Sequence, residues 1–174
     1  MKTTTKTASS ALVGVLLFLG LVPETRAQSC QINVPPTTPV QRFADHNNGT
    51  ITDLATGLMW KKCLEGQQGM GCYGKPELYS WELAQQHASM VRNGRFSGYS
   101  DWRLPTVNEL KTLVEQQCME PAVNLQVFPR MLPAGLWTAT AANPNAWSVD
   151  FSKGRVFQSL QQGGKYVRLV RNLR

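Results

Sequence analysis

The chain has 174 residues, of which 42% are hydrophobic and 17% charged, with a formal net charge of +7. That balance excludes a disordered chain, and the length suits one core of ordinary size rather than several domains. The basic surplus invites an acidic partner, but no groove-reading or RNA-binding motif accompanies it, so nucleic acid is not nominated.

At the amino terminus Lys2 and Lys6 precede an apolar run from Ala11 to Val22, and Thr25-Arg26-Ala27 puts small residues at the positions a signal peptidase inspects. The run is shorter than the ~20 residues needed to span a bilayer. It therefore predicts a signal peptide over residues 1–27 rather than a membrane span. A lipoprotein built on Cys30 is the alternative, for which Ala27-Gln28-Ser29 is a poor approach. Cleavage after Ala27 removes Lys2, Lys6, Glu24 and Arg26, leaving 147 residues and a formal charge of +5. The expected location is the periplasm, the cell surface or the extracellular space. Pro35-Pro36-Thr37-Thr38-Pro39 then marks an extended arm over 28–41, with one domain over 42–174.

Cys30, Cys63, Cys72 and Cys118 form an even set, which in an exported chain predicts two disulfides. Three pairings are open. The glycine-rich segment between Cys63 and Cys72 reads as a pinned surface loop and favours that pair, which would leave Cys30 with Cys118. A zinc site is the weaker alternative, because no close cysteine pair or histidine pair stands at ligand spacing.

Asp45-His46-Asn47-Asn48-Gly49-Thr50 is a turn cluster, after which Ile51-Thr52-Asp53 and Leu58-Met59-Trp60 predict a hairpin around Thr56-Gly57. Ser80 is a candidate N-cap for a helix with Trp81, Ala84, Ala88 and Val91 on one face, ending where Asn93-Gly94 allows a left-handed turn. Gly98-Tyr99-Ser100 turns the chain into Asp101-Trp102-Arg103-Leu104-Pro105. Thr106 and Glu109 have the spacing of a capping box, and Leu110, Leu113 and Val114 predict a helix from about Thr106 to about Gln117. Trp102 and Arg103 read as scaffold, the guanidinium meeting buried carbonyls or a carboxylate.

Residues 121–133 are irregular, with Val123, Leu125, Val127 and Phe128 as buried points. Leu136–Thr140, Ala146–Phe151, Arg155–Leu160 and Tyr166–Arg171 then predict a four-strand antiparallel meander.

Catalytic signals are thin. His46 and His87 accompany no nucleophile motif. Asp45, Asp53 and Asp101 with Asn47 and Asn48 do not fit a calcium loop, and after Glu120-Pro121 an alanine stands where a sugar-binding calcium site would want an amide.

Taken in order, Gly49-Thr50-Ile51-Thr52-Asp53, Thr56-Gly57-Leu58-Met59-Trp60, Gly98-Tyr99-Ser100-Asp101-Trp102-Arg103-Leu104-Pro105, Glu109-Leu110, Pro121-Ala122-Val123-Asn124, Phe128-Pro129, Leu136-Trp137-Thr138-Ala139-Thr140 and Tyr166-Val167-Arg168-Leu169-Val170-Arg171 resemble the C-terminal domain of the Lcl collagen-like adhesins, found in exported bacterial proteins. The resemblance implies an α+β, C-type-lectin-like fold with two helices on short antiparallel sheets, shared more distantly with formylglycine-generating enzymes. It also implies modules that bind sulfated polysaccharides. The reactive cysteine pair of those distant enzymes, near the carboxyl end, has no counterpart here, because no cysteine follows Cys118. A degenerate relative of them is therefore the third reading, after a non-enzymatic binding module and a structural or assembly subunit of an envelope or surface complex.

The charge distribution adds to the binding reading. After Asp150 come Lys153, Arg155, Lys165, Arg168, Arg171 and Arg174, and no acidic residue. Alternation sets Tyr166 and Arg168 on one face of the last strand. Trp147 and Tyr99, both with polar neighbours, are the aromatics best suited to a binding groove. The expected ligand is an anionic or sulfated glycan or another acidic surface partner. No metal or cofactor is called for, and a monomer is the default state.

Overall fold

The computed structural model describes residues 27–173. The apolar run near the amino terminus and most of the expected signal peptide lie outside these residues, as does Arg174. No helix among the described residues is long and apolar enough to cross a membrane.

The architecture is mixed α and β with antiparallel sheets, and two disulfides pin it. β1 (Ser29–Cys30) lies in the arm, and a 3₁₀ turn at Val40–Arg42 leads into β2 (Phe43–Asp45), β3 (Thr50–Asp53) and β4 (Leu58–Lys61). The hairpin of β3 and β4 pairs Ile51 with Trp60 and Asp53 with Leu58 around a turn in which Gly57 takes a φ of 68°. β2 was not legible in the sequence. Its three residues show no alternation, and pairing with β3 creates the strand.

α1 (Trp81–Asn93) begins at Ser80, whose hydroxyl accepts the Leu83 amide at 3.3 Å, and it buries Ala84 and Ala88. Its small buried face lets the helix lie close on the sheet beneath. The left-handed residue at its end is Arg95 (φ 53°) rather than Gly94, which stays in the right-handed region at φ −73°.

α2 (Val107–Lys111) has the full capping box: the Glu109 amide donates to Thr106 Oγ1 at 3.2 Å and the Thr106 amide donates to the Glu109 carboxylate at 2.7 Å. The helix is about half the expected length. After Lys111 the amides of Thr112, Leu113 and Val114 each reach back only three residues, tightening the chain into turns. The cause is tertiary. Glu115 is captured by the arm, and Cys118 in β5 (Cys118–Met119) is bonded to Cys30 in β1, so the chain must leave the helical path.

β6 (Gly135–Ala142), β7 (Asn145–Asp150) and β8 (Arg155–Leu160) form a three-strand meander in that order. The expected fourth strand does not extend it. Tyr166 makes one parallel bridge to Leu136, and the chain then crosses so that β9 (Val170–Asn172) joins β4, completing a sheet of order β2-β3-β4-β9. Residues 167–171 are buried throughout, so this segment fills the space between the two sheets instead of covering one.

Two apolar clusters result. Leu58, Trp60 and Val170 meet Leu110, Phe128, Leu136 and Val149 in the first, while Met59, Val167 and Leu169 meet Trp102, Trp137, Ala84 and Ala88 in the second. Alternation along β4 divides its side chains between the two clusters.

The second disulfide joins Cys63 to Cys72 across the loop after β4. The arm is docked as well: Gln28 Nε2 donates to the carbonyls of Pro121 and Val123, each at 2.7 Å.

Candidate functional site

The turn between β7 and β8 is fixed by its own residues. Asp150 accepts the Ser152 amide at 2.9 Å and the Ser152 hydroxyl at 2.6 Å, and Gly154 closes the turn with φ 67°. A Cβ at position 154 would stand 2.3 Å from Val114 Cγ1, so both the dihedral and the close approach require glycine. This contact presses the turn against the segment that follows α2.

The consequence is a surface cavity of about 480 Å³ bordered by Lys111, Lys153 and Arg155, with Gln116 and Met119 in its wall. All three cations are exposed, and none is paired with a carboxylate among the described residues. Glu115 also borders the cavity, but its carboxylate is already bonded. It accepts the Thr37 and Thr38 amides at 2.9 and 2.8 Å, the Thr38 hydroxyl at 2.8 Å and the Gln117 amide at 3.0 Å. Burial works to raise this carboxyl, but the donors outweigh it and hold it below the usual range. The cavity thus offers cations and an amide N–H to an anion, with Met119 as apolar wall. The sequence did not single out Lys111, which stood in the middle of the expected helix and becomes its last residue only because α2 ends early.

The other expected site residues are dispersed. Gly135, Asp150 and Arg155 stand directly opposite one another across β6, β7 and β8, so their side positions share a face. The Lys165 ammonium lies 3.1 Å from where a Gly135 Cβ would be, which brings Lys165 to that face, two strands or about 10 Å from Arg155. Its ammonium sits 5.3 Å from the Trp137 ring, so it is half-buried rather than extended into solvent. Tyr166 packs against the first cluster and borders a different cavity with Lys75 and Leu78.

Arg168 is no surface residue: alternation does keep it on the side of Tyr166, toward the cluster that contains Phe128, but that side is buried. It is 1% exposed, donates through Nη1 to the carbonyls of Lys61 and Lys62, and stacks 4.5 Å over the Phe128 ring. Desolvation pushes its guanidinium down to about 9, against the opposing effect of the Glu65 charge, which leaves it cationic at neutral pH. The crossing path of the last segment is the reason: a residue between two sheets has no solvent face. Arg171 is likewise buried, donating to Asp101 at 2.6 Å while its guanidinium lies 4.0 Å over the Tyr99 ring.

Tyr99 is therefore occupied, on one side by Arg171 and on the other by an edge contact with Trp102. Trp147 is half-buried on the face that includes Val149, away from the cavity of Lys111, Lys153 and Arg155, which it does not line. Trp102 is fully buried with its indole N–H on the Phe96 carbonyl at 2.9 Å. Arg103 makes two parallel bonds of 2.8 and 2.7 Å to Glu109 and one of 2.7 Å to Asn172, binding the capping box to β9. Pro105 is buried ahead of α2, and its carbonyl accepts the Ala139 amide at 2.7 Å.

The three carboxylates weighed for calcium are all engaged by cations: Asp45 by Lys62, Asp53 by Arg42 and Asp101 by Arg171. Neither histidine belongs to a recognisable nucleophile motif. His46 bonds Thr52 at 2.8 Å, and His87 bonds Glu65 at 2.7 Å. Nothing in the spacing of Glu65 and His87, 22 residues apart, signals that second contact. Glu65, 4% exposed, also holds the Lys61 ammonium at 2.7 Å, and His87 rests against the Tyr79 ring. Tyr79 donates to Glu77 at 2.5 Å; burial first, and then that bond, raise its phenol far above the ordinary value. These are closed pairs that brace the loop after β4 against α1.

Among known families, the sequence model described as the Lcl C-terminal domain matches residues 49–171. No curated protein matches the chain.

Proposed function

Because the chain belongs to the Lcl C-terminal domain family, we propose that it is an exported, non-catalytic, adhesin-like module that binds acidic or sulfated glycans at the cavity of Lys111, Lys153 and Arg155. The family suggests an adhesin-like domain, and the two disulfides fit an oxidising compartment outside the cytoplasm. A C-type-lectin-like arrangement is part of the same reading, supported by the family motifs and by the two helices on antiparallel sheets.

One observation carries the ligand class: three unpaired cations from two distant parts of the chain converge on one cavity. Arginine presents a planar fork to a sulfate or carboxylate, and the two lysines add point charges beside it. Lys165, across the sheet from Arg155, extends the positive field in one direction. Each exposed contact is weak and screened over ~8 Å at physiological salt, so affinity should fall steeply as salt rises.

The test is a heparin column run with the native protein and with a variant carrying Lys111→Glu, Lys153→Glu and Arg155→Glu. The variant should elute at clearly lower salt with an unchanged melting temperature. Elution at the same salt removes the proposed site.

A further inference from the structure

We propose that two copies of this chain join through their β8 edges, merging their three-strand sheets into one sheet of six. β8 ends the order β6-β7-β8, and among the described residues its outer side meets no other backbone except the Gly163 amide, which donates to the Leu160 carbonyl at 2.9 Å. Proteins commonly guard such an edge with charges, proline or a bulge. Here the strand reads Arg-Val-Phe-Gln-Ser-Leu, with its one charge at the first position, and its register with β7 runs unbroken from Arg155 to Leu160. Phe157 and Leu160 are nonetheless 46% and 62% exposed.

The geometry selects both the occupant and the register. The Trp147 carbonyl accepts Thr138 Oγ1 at 2.7 Å and so points to β6, while the Phe157 carbonyl accepts Ser148 Oγ and points to β7. Backbone groups alternate along a strand, so the N–H and C=O of Val156 and Gln158 point outward. Residues paired across antiparallel strands share a face, so a twofold axis normal to the joint sheet must pass through a residue that pairs with itself. Centred on Gln158, the axis uses the strand from Val156 to Leu160: Gln158 exchanges two bonds with its counterpart, and Val156 falls opposite Leu160, whose carbonyl also keeps the Gly163 amide, on both sides of the axis. Phe157 then faces Ser159, and Arg155 lies beyond the last pair, toward the turn that follows Leu160, so no like charges meet. On a chain as basic as this one, an edge uncharged from Val156 to Leu160 and self-matching is where a second copy can approach with least repulsion. The twofold uses both edges, so assembly stops at the dimer. It would also present two copies of the basic cavity to one polymer, although the interface does not depend on that cavity binding anything.

The five residues from Val156 to Leu160 that pair across the axis bury less than a standard interface, so a weak dimer is expected. Analytical ultracentrifugation of the purified protein from micromolar to millimolar concentration should show a reversible monomer–dimer equilibrium. Gln158→Pro removes an amide that faces solvent in the monomer. It should weaken the dimer at least about tenfold while leaving the melting temperature near native. Register is read by cysteine pairing, since a hydrogen-bonded pair places its Cα atoms ~5.5 Å apart, within disulfide reach. Under mild oxidation Gln158→Cys should give a covalent dimer much faster than Phe157→Cys, with both native disulfides retained. A protein that stays monomeric throughout the range, assembles beyond the dimer, or cross-links no faster at 158 than at 157 overturns the proposal.

Discussion

At the scale of single residues, the two arginines of the motif segments show how one side chain takes opposite environments. Arg103 is a third exposed and gains its place through a forked contact with Glu109. Arg103→Ala leaves Glu109 in its capping box but removes the link to Asn172, so the stability measured by urea should fall by about 1 kcal/mol. Heparin binding should not change. Arg168 is fully enclosed, and its donors answer two backbone carbonyls at the end of β4. Truncation to alanine leaves those acceptors without a donor and opens a void against Phe128, so Arg168→Ala should cost about 3 kcal/mol or more. A urea midpoint unchanged in Arg168→Ala would contradict this placement.

Among elements, the docking of the arm is the most exposed to experiment. Thr37 and Thr38 converge on Glu115, and nothing else among the described residues presents so many donors to one carboxylate. Because the folded carboxyl lies below its unfolded value of about 4.3, the contribution is fully present above that pH and is lost as pH falls through the folded value. Hydrogen exchange at the Thr37 and Thr38 amides should accelerate in that acid window, ahead of global unfolding. Glu115→Gln keeps shape but halves the acceptor capacity, so the same amides should exchange faster at neutral pH and show little further acid dependence. The tether through Cys30 and Cys118 keeps the released arm local.

For the molecule as a whole, the disulfides act over very different loops. Cys30 and Cys118 are 88 residues apart in sequence, whereas Cys63 and Cys72 are 9 apart. Loop-closure entropy assigns the first about 4 to 5 kcal/mol and the second about 2 to 3. Replacing Cys30 and Cys118 by alanine should therefore lower the urea midpoint more than replacing Cys63 and Cys72. Peptide mapping without reduction should recover both pairs, and free thiols throughout would contradict the pairing.

Local chemistry was legible in the sequence. The Ser80 cap, the reciprocal bonds of Thr106 and Glu109, and the hairpin around Gly57 depend on neighbours a few residues away, and spacing alone declares such contacts. The runs that became β6, β7 and β8 were also legible, β7 by its alternation, although β6 buries Leu136 and Trp137 on opposite faces. What only the tertiary structure decided involves partners far along the chain. The capture of Glu115 by the arm shortens α2, the crossing of residues 167–171 buries Arg168 and removes it from the basic array, and the seat of Gly154 on Val114 brings Lys111 beside Lys153 and Arg155. Sequence fixes a residue's charge and local geometry. Whether that charge faces water depends on which segment covers it, and that is settled only when the two sheets pack.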